Sequence, residues 1–509
     1  MYLASLEPDY DALHATRTFN FSDMMSEFRS KIINGLKWSM IEHTALRFPQ
    51  TALGIVLARL LVPEDFGLIA MLAIFLAIAT SITDGGLSQA LVQKKNPSEQ
   101  DKSTVFYFNI VLGALFMTVI ITLAPYVSKF YGEPRLTLLL RVLSLNIIFT
   151  SLNNVQTWLL NKDLNFKIQF FSKLASTTIS GLTAITLAIL GYGVWSLVAH
   201  SMISTILNTA IIWKFSTWRP TKSFSLDSLK ELFFFSFNLL LSGQLTAICN
   251  ELYYVVIGKL FSAHHLGFFS RARQTRNIPI EVLNSVVQRI TFPAFSMIQD
   301  DTPRQKRALR KAIGSIAFVN FPIMIGLAMV AQPTVTILLT EKWNESVPLL
   351  QLFCFAGITL PIMSAHGSVI QSRGQSKVSL HYSLIINTLR IALLSFTWRW
   401  GIEGIIWGEI VHSFLSHSLY VIWSKKNIDY RIREQLSDTL PYLIAALLMG
   451  AATFFAGTLL ANSNPYTLLG AQIAVGAISY FIICALLRPV AYTDAISNLL
   501  LQLRHERRS

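Results

Sequence analysis

The stretch LARLLVPEDFGLIAM, Leu57 to Met71, joins two long apolar runs through a short turn carrying one cation, Arg59, and two acids, Glu64 and Asp65. Two hundred positions on, IGKLFSAHHLGFFSR, Ile257 to Arg271, repeats the pattern. Ala58, Arg59, Leu60, Leu61 and Gly67 are answered by Gly258, Lys259, Leu260, Phe261 and Gly267. Farther out, GVWSLVAHS from Gly193 and GIEGIIWGE from Gly401 occupy equivalent turns, and NKDLNFK (Asn161 to Lys167) corresponds in place to QSRGQSK (Gln371 to Lys377). A polar corner written twice in an apolar chain predicts a duplicated unit, two halves of like orientation whose interface is the natural place for a transport path.

The bulk composition says what kind of unit is duplicated. Of 509 residues, 52% are hydrophobic and only 14% charged, against roughly a quarter charged in soluble domains, so the chain reads as an all-α integral membrane protein. Stretches of roughly 20 mostly apolar residues, the length of a helical span, fall at 38–62, 66–92, 104–128, 136–160, 169–190, 194–214, 231–258, 265–293, 312–339, 347–370, 377–398, 402–423, 439–461 and 466–487. These fourteen predicted spans divide into two six-helix lobes and two extra C-terminal helices. The net charge of +14 does not mark a nucleic-acid binder, because the Lys and Arg cluster in short segments between spans. Cys249, Cys354 and Cys484 lie singly in apolar runs without metal-ligand spacing and read as small apolar residues.

Counted loop by loop, most of the 42 cations fall on the side of the N-terminus, while the other side receives Arg59, Lys129, Arg135, Lys259, Lys342 and Arg399. The positive-inside rule then places both termini in the cytoplasm and the repeated corners outside. The expected organisation is a cytoplasmic tail (1–37), an N-lobe (38–214), a cytoplasmic linker (215–230), a C-lobe (231–423), a cytoplasmic loop (424–438), the last two spans (439–487) and a C-terminal tail (488–509). The first thirty or so residues lack the basic start and apolar core of a signal peptide.

Polar residues inside the spans are the candidate functional residues, since ionisable groups at membrane depth are costly and face a bundle interior or a watery cavity. In the eighth span Arg273, Asn277, Glu281, Asn284 and Gln288 share one helical face, with Arg276 to one side. A cavity wall and an internal ion-pair cluster, such as Arg273 or Arg276 with Glu281, are both compatible with that stripe. His43, Arg47, Gln50, Thr51 and Gly54 form a weaker stripe in the first span. Pro49 and Pro279 interrupt the two stripes as static kinks or hinges. Glu42, Asp84, Glu251 and Glu281 are candidates for Na⁺ or proton coupling, although ion pairing is the commoner role for such acids. The Gly404/Gly408 pair reads as close helix packing. There is no Walker A pattern, no nucleophile elbow and no long extramembrane segment to hold a catalytic domain.

The residues LARLLVPEDFGLIAM, then DGGLSQALVQKK (Asp84 to Lys95) and FYFNIVLGALFMTVIITLAPYVSKFYGEPRL (Phe106 to Leu136), resemble the polysaccharide-transporter branch of the multidrug/oligosaccharidyl-lipid/polysaccharide (MOP) exporter superfamily, nearest to Wzx-type flippases of the WzxC-like group. The resemblance runs from about Ser30 to Pro489. It implies a V of two six-helix lobes around a central cavity and transfer of undecaprenyl-diphosphate-linked oligosaccharides to the outer leaflet of the bacterial inner membrane, without enzymatic chemistry or a cofactor. By helix and stripe it implies Arg47, Arg273 and Arg276 as cavity cations, with His43, Gln50, Asn277, Glu281, Asn284 and Gln288 lining the cavity. Arg59 and Lys259 then fall at the external gate. The implied partners are the bilayer, the lipid-linked oligosaccharide, and a polysaccharide polymerase and glycosyltransferases. A multidrug or small-cation exporter of the same superfamily is the first alternative; a lipid-linked-glycan polymerase or ligase and a scaffold for glycan synthesis are the others.

Overall fold

The computed structural model describes residues 47–84, 97–163 and 165–494, together with Leu91 and Ser497. Glu42, His43 and the expected N-terminal tail lie outside the described residues, as do the side chains of Asp84, Asn238, Ser242 and Thr246. The described residues form helices without strands. They are α1 (47–60), α2 (Pro63–Asp84), α3 (Glu99–Tyr131), α4 (Arg135–Lys162), α5 (Phe166–Ile189) and α6 (Val194–Phe215). A linker leads to α7 (Leu226–Leu260), α8 (Ala263–Ser296), α9 (Thr302–Met329), α10 (Ala331–Leu339), α11 (Ser346–Gly357), α12 (Leu360–Ser372), α13 (Ser376–Thr397) and α14 (Gly401–Ile428). Two long helices follow, α15 (Ile432–Leu459) and α16 (Pro465–Leu487), and then a short helical stretch at 490–494. Among the described residues, each predicted span falls on one of these helices or on a helix pair; 38–46 of the first span, and 85–90 and 92 of the second, lie outside them.

Two spans differ from the expected single rods. The ninth breaks at Val330 into α9 and α10, and the tenth breaks at Ile358 and Thr359 into α11 and α12. A broken helix strands backbone carbonyls in hydrocarbon, so the break survives only where side chains re-satisfy them. Buried Asn320 does this at the tenth span, donating from Nδ2 to Gly357 O at 3.2 Å and Ile358 O at 2.8 Å. Gln351 Nε2 donates to Ala328 O at 3.1 Å just before the other break. Pro333 and Pro361, each in the first turn of the segment that follows, suit a restart because proline has no N–H to leave unpaired there.

The lobes meet mainly through α2, which packs on α7 and α8. One apolar core runs through that contact, containing Leu68, Met71 and Leu72 from the first lobe with Tyr253, Ile257, Leu266 and Phe269 from the second. Towards the other end of the molecule the core divides. One branch, with Ile280, Leu309, Ile362 and Tyr442, belongs to the second lobe and α15–α16; the other, with Val105, Phe106 and Val155, belongs to the first lobe and the opening turns of α7. The lobes are thus fused at the end that carries the repeated corners. The last two helices brace the second lobe: Arg310 of α9 grips Asp438 of α15 with Nε and Nη2, both at 2.8 Å, while Tyr430 donates to the same carboxylate at 2.7 Å.

Candidate functional site

The two corners pack on each other. Gly67 lies so close to Ala263 that a Cβ placed on it would meet the Ala263 carbonyl oxygen at 1.7 Å, and a Cβ on Gly267 would meet the Pro63 carbonyl oxygen at 1.9 Å. Both glycines and both opposed residues are 200 positions apart, so the joint is a pseudo-twofold contact of the repeat with itself. Cations reinforce it in the same reciprocal way. Arg59 reaches into the second lobe, donating from Nε to Leu338 O at 2.9 Å and from Nη2 to Ile337 O. Its counterpart Lys259 reaches into the first lobe, donating to Phe130 O with Nζ 4.8 Å from the Phe130 ring. Lys342 Nζ and Trp343 Nε1 return bonds to Arg59 O and Ala58 O at 2.5 and 2.8 Å.

These hooks are exposed, so each contributes only about 0.5–1.5 kcal/mol to the closed joint. Arg59→Ala or Lys259→Ala is therefore expected to speed thiol labelling from the corner side roughly 2- to 10-fold. An unchanged rate in the double variant would remove both residues from the joint.

Away from the joint, α8 presents three faces in angular order. Ile278, Val282, Val286 and Ile290 form an exposed apolar stripe. Next comes a seam where Glu281 pairs with Arg47 of α1. Gln50, Thr51, Gln274 and Thr275 join this pair in a pocket of about 810 Å³ between α1, α8 and α10. Arg271, buried at its upper end, donates to Gly54 O at 3.0 Å and lies 4.4 Å from the Phe66 ring. The third face, with Arg273, Arg276, Asn277, Asn284 and Gln288, turns towards α7, α12, α13 and α14.

That third face borders a cavity of about 950 Å³ lined by Arg273, Arg276, Arg390, Glu409, Glu251 and Asn250, among others. Arg276 Nη2 is 3.2 Å from Glu409 Oε1 and Arg273 Nη2 is 4.0 Å from it, so one carboxylate serves two guanidiniums. Arg273 also lies 5.3 and 5.4 Å from the rings of Tyr253 and Tyr254. Arg390 donates to Asn250 Oδ1, and Arg273 Nη1 to the Asn250 carbonyl at 3.3 Å. A second trough, about 1490 Å³, shares Asn250, Leu360 and Met363 with the first and continues past Asn284, Ser364, Gln288 and Gln371. A charged chamber therefore opens into a channel lined by amides and hydroxyls.

With this geometry in place, comparison with known proteins identifies the lineage. The family model described as polysaccharide biosynthesis protein matches residues 56–348, more than half of the chain. The chain belongs to this polysaccharide biosynthesis protein family. Among its relatives, the lipopolysaccharide biosynthesis protein WzxC of Escherichia coli (strain K12) is 25% identical over 405 residues, covering 77% of this chain and 81% of that protein. The teichuronic acid biosynthesis protein TuaB of Bacillus subtilis (strain 168) is 26% identical over 397 residues, 75% of this chain and 82% of its own. The succinoglycan biosynthesis transport protein ExoT of Rhizobium meliloti (strain 1021) is 26% identical over 387 residues, with 75% and 78% covered. Among solved structures, the lipid II flippase MurJ in an inward closed conformation superposes with a TM-score of 0.73 at 18% identity, covering 91% of this chain and all of that one. An inward-facing multidrug resistance MATE family transporter of the MOP superfamily gives 0.59 at 16% identity, covering 75% and 94%. The fold is that of all-α, multi-pass membrane transporters.

Within this family frame, the residues singled out in the sequence separate into three places. Arg59 and Lys259 cross between the lobes at the corner joint. Arg47, Gln50 and Glu281 line the pocket between α1 and α8, whereas Arg273, Arg276, Asn277 and Glu251 line the chamber in the second lobe; Asn284 and Gln288 line its continuation. Of the two arrangements the stripe allowed, the ion pair of Arg273 or Arg276 with Glu281 is not formed: both guanidiniums face Glu409, because Glu281 sits at the edge of the stripe nearest α1 and pairs with Arg47. Arg390 and Glu409 had no place in the sequence reading. Their signal was weak but physical: each is a charge in the interior of a predicted span, and such charges require partners on other spans.

Proposed function

We propose that this protein is a flippase that carries undecaprenyl-diphosphate-linked oligosaccharide repeat units across the bacterial inner membrane, with both termini cytoplasmic and the corner joint on the external side. The observation that carries the reading is the order of faces around α8. Lipid-linked oligosaccharides have three parts of different chemistry: a hydrocarbon chain, an anionic diphosphate and a hydroxyl-rich glycan. The helix offers an exposed apolar stripe, a charged seam at Arg47 and a cavity lined by amides and guanidiniums, in that sequence. Arg47, Arg273 and Arg276 draw in the anionic head, since a guanidinium keeps its charge in low dielectric and grips an oxyanion at two points. The prenyl chain stays in lipid beside Ile278 and Val282.

Closed at the corners and split towards the other end, the lobes receive the head from the cytoplasm and rock to release it outside. The names of the relatives support this, since they include a succinoglycan transport protein and proteins of lipopolysaccharide and teichuronic acid synthesis. A drug-cation exporter would call for an acid-rich cavity, and the chamber here has more guanidiniums than carboxylates. Polymerase and glycosyltransferases supply the substrate and consume the product.

Proteoliposomes containing fluorescent undecaprenyl-diphosphate oligosaccharide test the reading. Wild-type protein is expected to bring the label across within minutes, and Arg47→Ala to slow it roughly 10-fold or more through loss of a charge-assisted contact. Elongation or transfer of the glycan, or no movement at all, would overturn it.

A further inference from the structure

Among the described residues, three that are not glycine have positive φ. Asp429 and Arg488 close helices in the left-handed conformation, at φ 50°, ψ 32° and φ 47°, ψ 49°, an ordinary way for a helix to stop. Thr340, which follows α10, is different. At φ 80°, ψ 167° it occupies a region of backbone space that is essentially reserved for glycine, and a β-branched residue suits it least of all. The repeat shows which residue fits such a bend. Gly193 and Gly401, at the starts of α6 and α14, are 208 positions apart and both have positive φ; the same shift carries Thr340 onto Gly132, where φ is 75°. It also relates the carbonyls held by the two corner cations: Lys259 holds Phe130 O, two residues before Gly132, and Arg59 holds Leu338 O, two residues before Thr340. The first half thus places glycine beside its anchor, and the second half places a strained threonine there.

Strain of this kind persists only where the surroundings impose it. Here they belong to the other lobe. On one side of Thr340, Arg59 grips Ile337 O and Leu338 O; on the other, Lys342 and Trp343 bond to Arg59 O and Ala58 O. The buried Trp343 ring also meets Phe66 of the first lobe edge-on, with centroids 5.5 Å apart. All of these contacts cross the corner joint, so they exist only while it is closed. We infer that Thr340 is a spring loaded by closure of the joint. The crossing contacts force its backbone into the strained conformation, and parting of the lobes lets it relax, which offsets part of their hold and keeps the open state within reach of the closed one. The inference rests on the reading of the joint as a gate that opens during transport.

Thr340→Gly removes the strain from the closed state, because glycine adopts positive φ without steric cost, and so should tighten the joint. The test uses protein whose cysteines are replaced by alanine, with a reporter cysteine at Thr51 in the pocket between α1 and α8. Lys259→Ala supplies a loosened joint without touching the anchors of Thr340. In that background Thr340→Gly is expected to slow maleimide labelling from the corner side roughly 10-fold and to raise the unfolding temperature. Thr340→Ala keeps a Cβ, hence the strain, and should label at the rate of the threonine protein. A residue that merely packs would give the opposite order, since glycine loses every side-chain contact that alanine loses and one more. Equal or faster labelling with glycine, a lower unfolding temperature, or equal slowing by alanine would overturn the inference. Proteoliposomes holding undecaprenyl-diphosphate oligosaccharide separate it from the flippase reading. Normal flipping by the wild type, with labelling unchanged by Thr340→Gly, sinks the spring and spares the flippase. Slower labelling in the glycine variant, with no flipping by the wild type, does the reverse.

Discussion

Gly67→Ala, the addition of one methyl group, is expected to open the corner side of this protein. Alanine in place of glycine inside a helix ordinarily stabilises by about 0.5–1 kcal/mol. At Gly67 the new Cβ has no room: it falls 1.7 Å from the Ala263 carbonyl oxygen and 2.5 Å from its carbon, where real Cβ atoms essentially never come within 3.0 Å. The obstacle is backbone, which cannot rotate aside as a side chain does, so the two corners must separate by more than 1 Å. Over-packing of tight contacts typically costs 1–3 kcal/mol, and a rigid backbone clash belongs at the upper end or beyond. That cost falls on the corner-closed state alone. If the closed state leads the open one by only a few kcal/mol, as alternating access requires, the population shifts strongly towards opening at the corners.

The measurement is thiol accessibility. Thr51 lines the pocket between α1 and α8, eight residues before Arg59 and so about 12 Å below the corner. With Cys249, Cys354 and Cys484 replaced by alanine, a cysteine at Thr51 should react with an impermeant maleimide only from the side opposite the corners. Adding Gly67→Ala should make it reactive from the corner side and slow flipping roughly 10-fold or more. Gly267→Ala should do the same, because its Cβ meets Pro63 in the mirror position. Gly470→Ala, where nothing lies within 4 Å, is the control. Unchanged sidedness in both corner variants would show that the joint closes no path.

The corner was legible in the sequence because the repeat marks both halves of one contact: residues that pack against their own copies about a pseudo-twofold appear twice. The spans were legible for a simpler reason, since every lipid-crossing helix needs its full apolar length. The breaks at Val330 and Ile358 were not, because both lie in apolar sequence and the side chains that make them tolerable, Asn320 and Gln351, come from elsewhere along the chain. The α8 stripe was found from its periodicity, yet periodicity gives a face and not its neighbour. It therefore left a cavity wall and an ion pair of Arg273 or Arg276 with Glu281 both open, where the helix places these charges against different partners. Glu409 was hidden most completely, because it follows Gly404 and Gly408, whose spacing read only as helix packing. That packing is present: a Cβ on Gly404 would meet Thr397 O at 2.7 Å, and one on Gly408 would meet Thr397 Oγ1 at 2.6 Å. The same close approach brings α14 against α13, the helix that carries Arg390.

Glu409→Ala should therefore be among the most damaging single substitutions in the protein. Its carboxylate, 10% exposed, is the counter-charge for Arg276, which is 2% exposed, and for Arg273 at 14%. Removing one partner of a buried ion pair typically costs 3–5 kcal/mol, because the remaining charge keeps its full desolvation penalty. The expected result is a sharp fall in detergent-extracted folded protein and in its unfolding temperature. Replacing Arg276 and Glu409 together by methionine removes the most buried charge along with its partner, a type of exchange that is often neutral or better, and leaves only the less buried Arg273 without the carboxylate. The double variant should thus recover part of the stability lost in Glu409→Met, and the cycle closed by the single variants Arg276→Met and Glu409→Met should give a coupling of about 1–3 kcal/mol. It should not recover transport, because the chamber has lost a guanidinium that the anionic head needs. Stability and flipping then part company at one pair of residues. If Glu409→Ala proves as stable as wild type, the pair is not what holds Arg276 in place; if the methionine pair flips substrate at the normal rate, the chamber is not on the substrate's path.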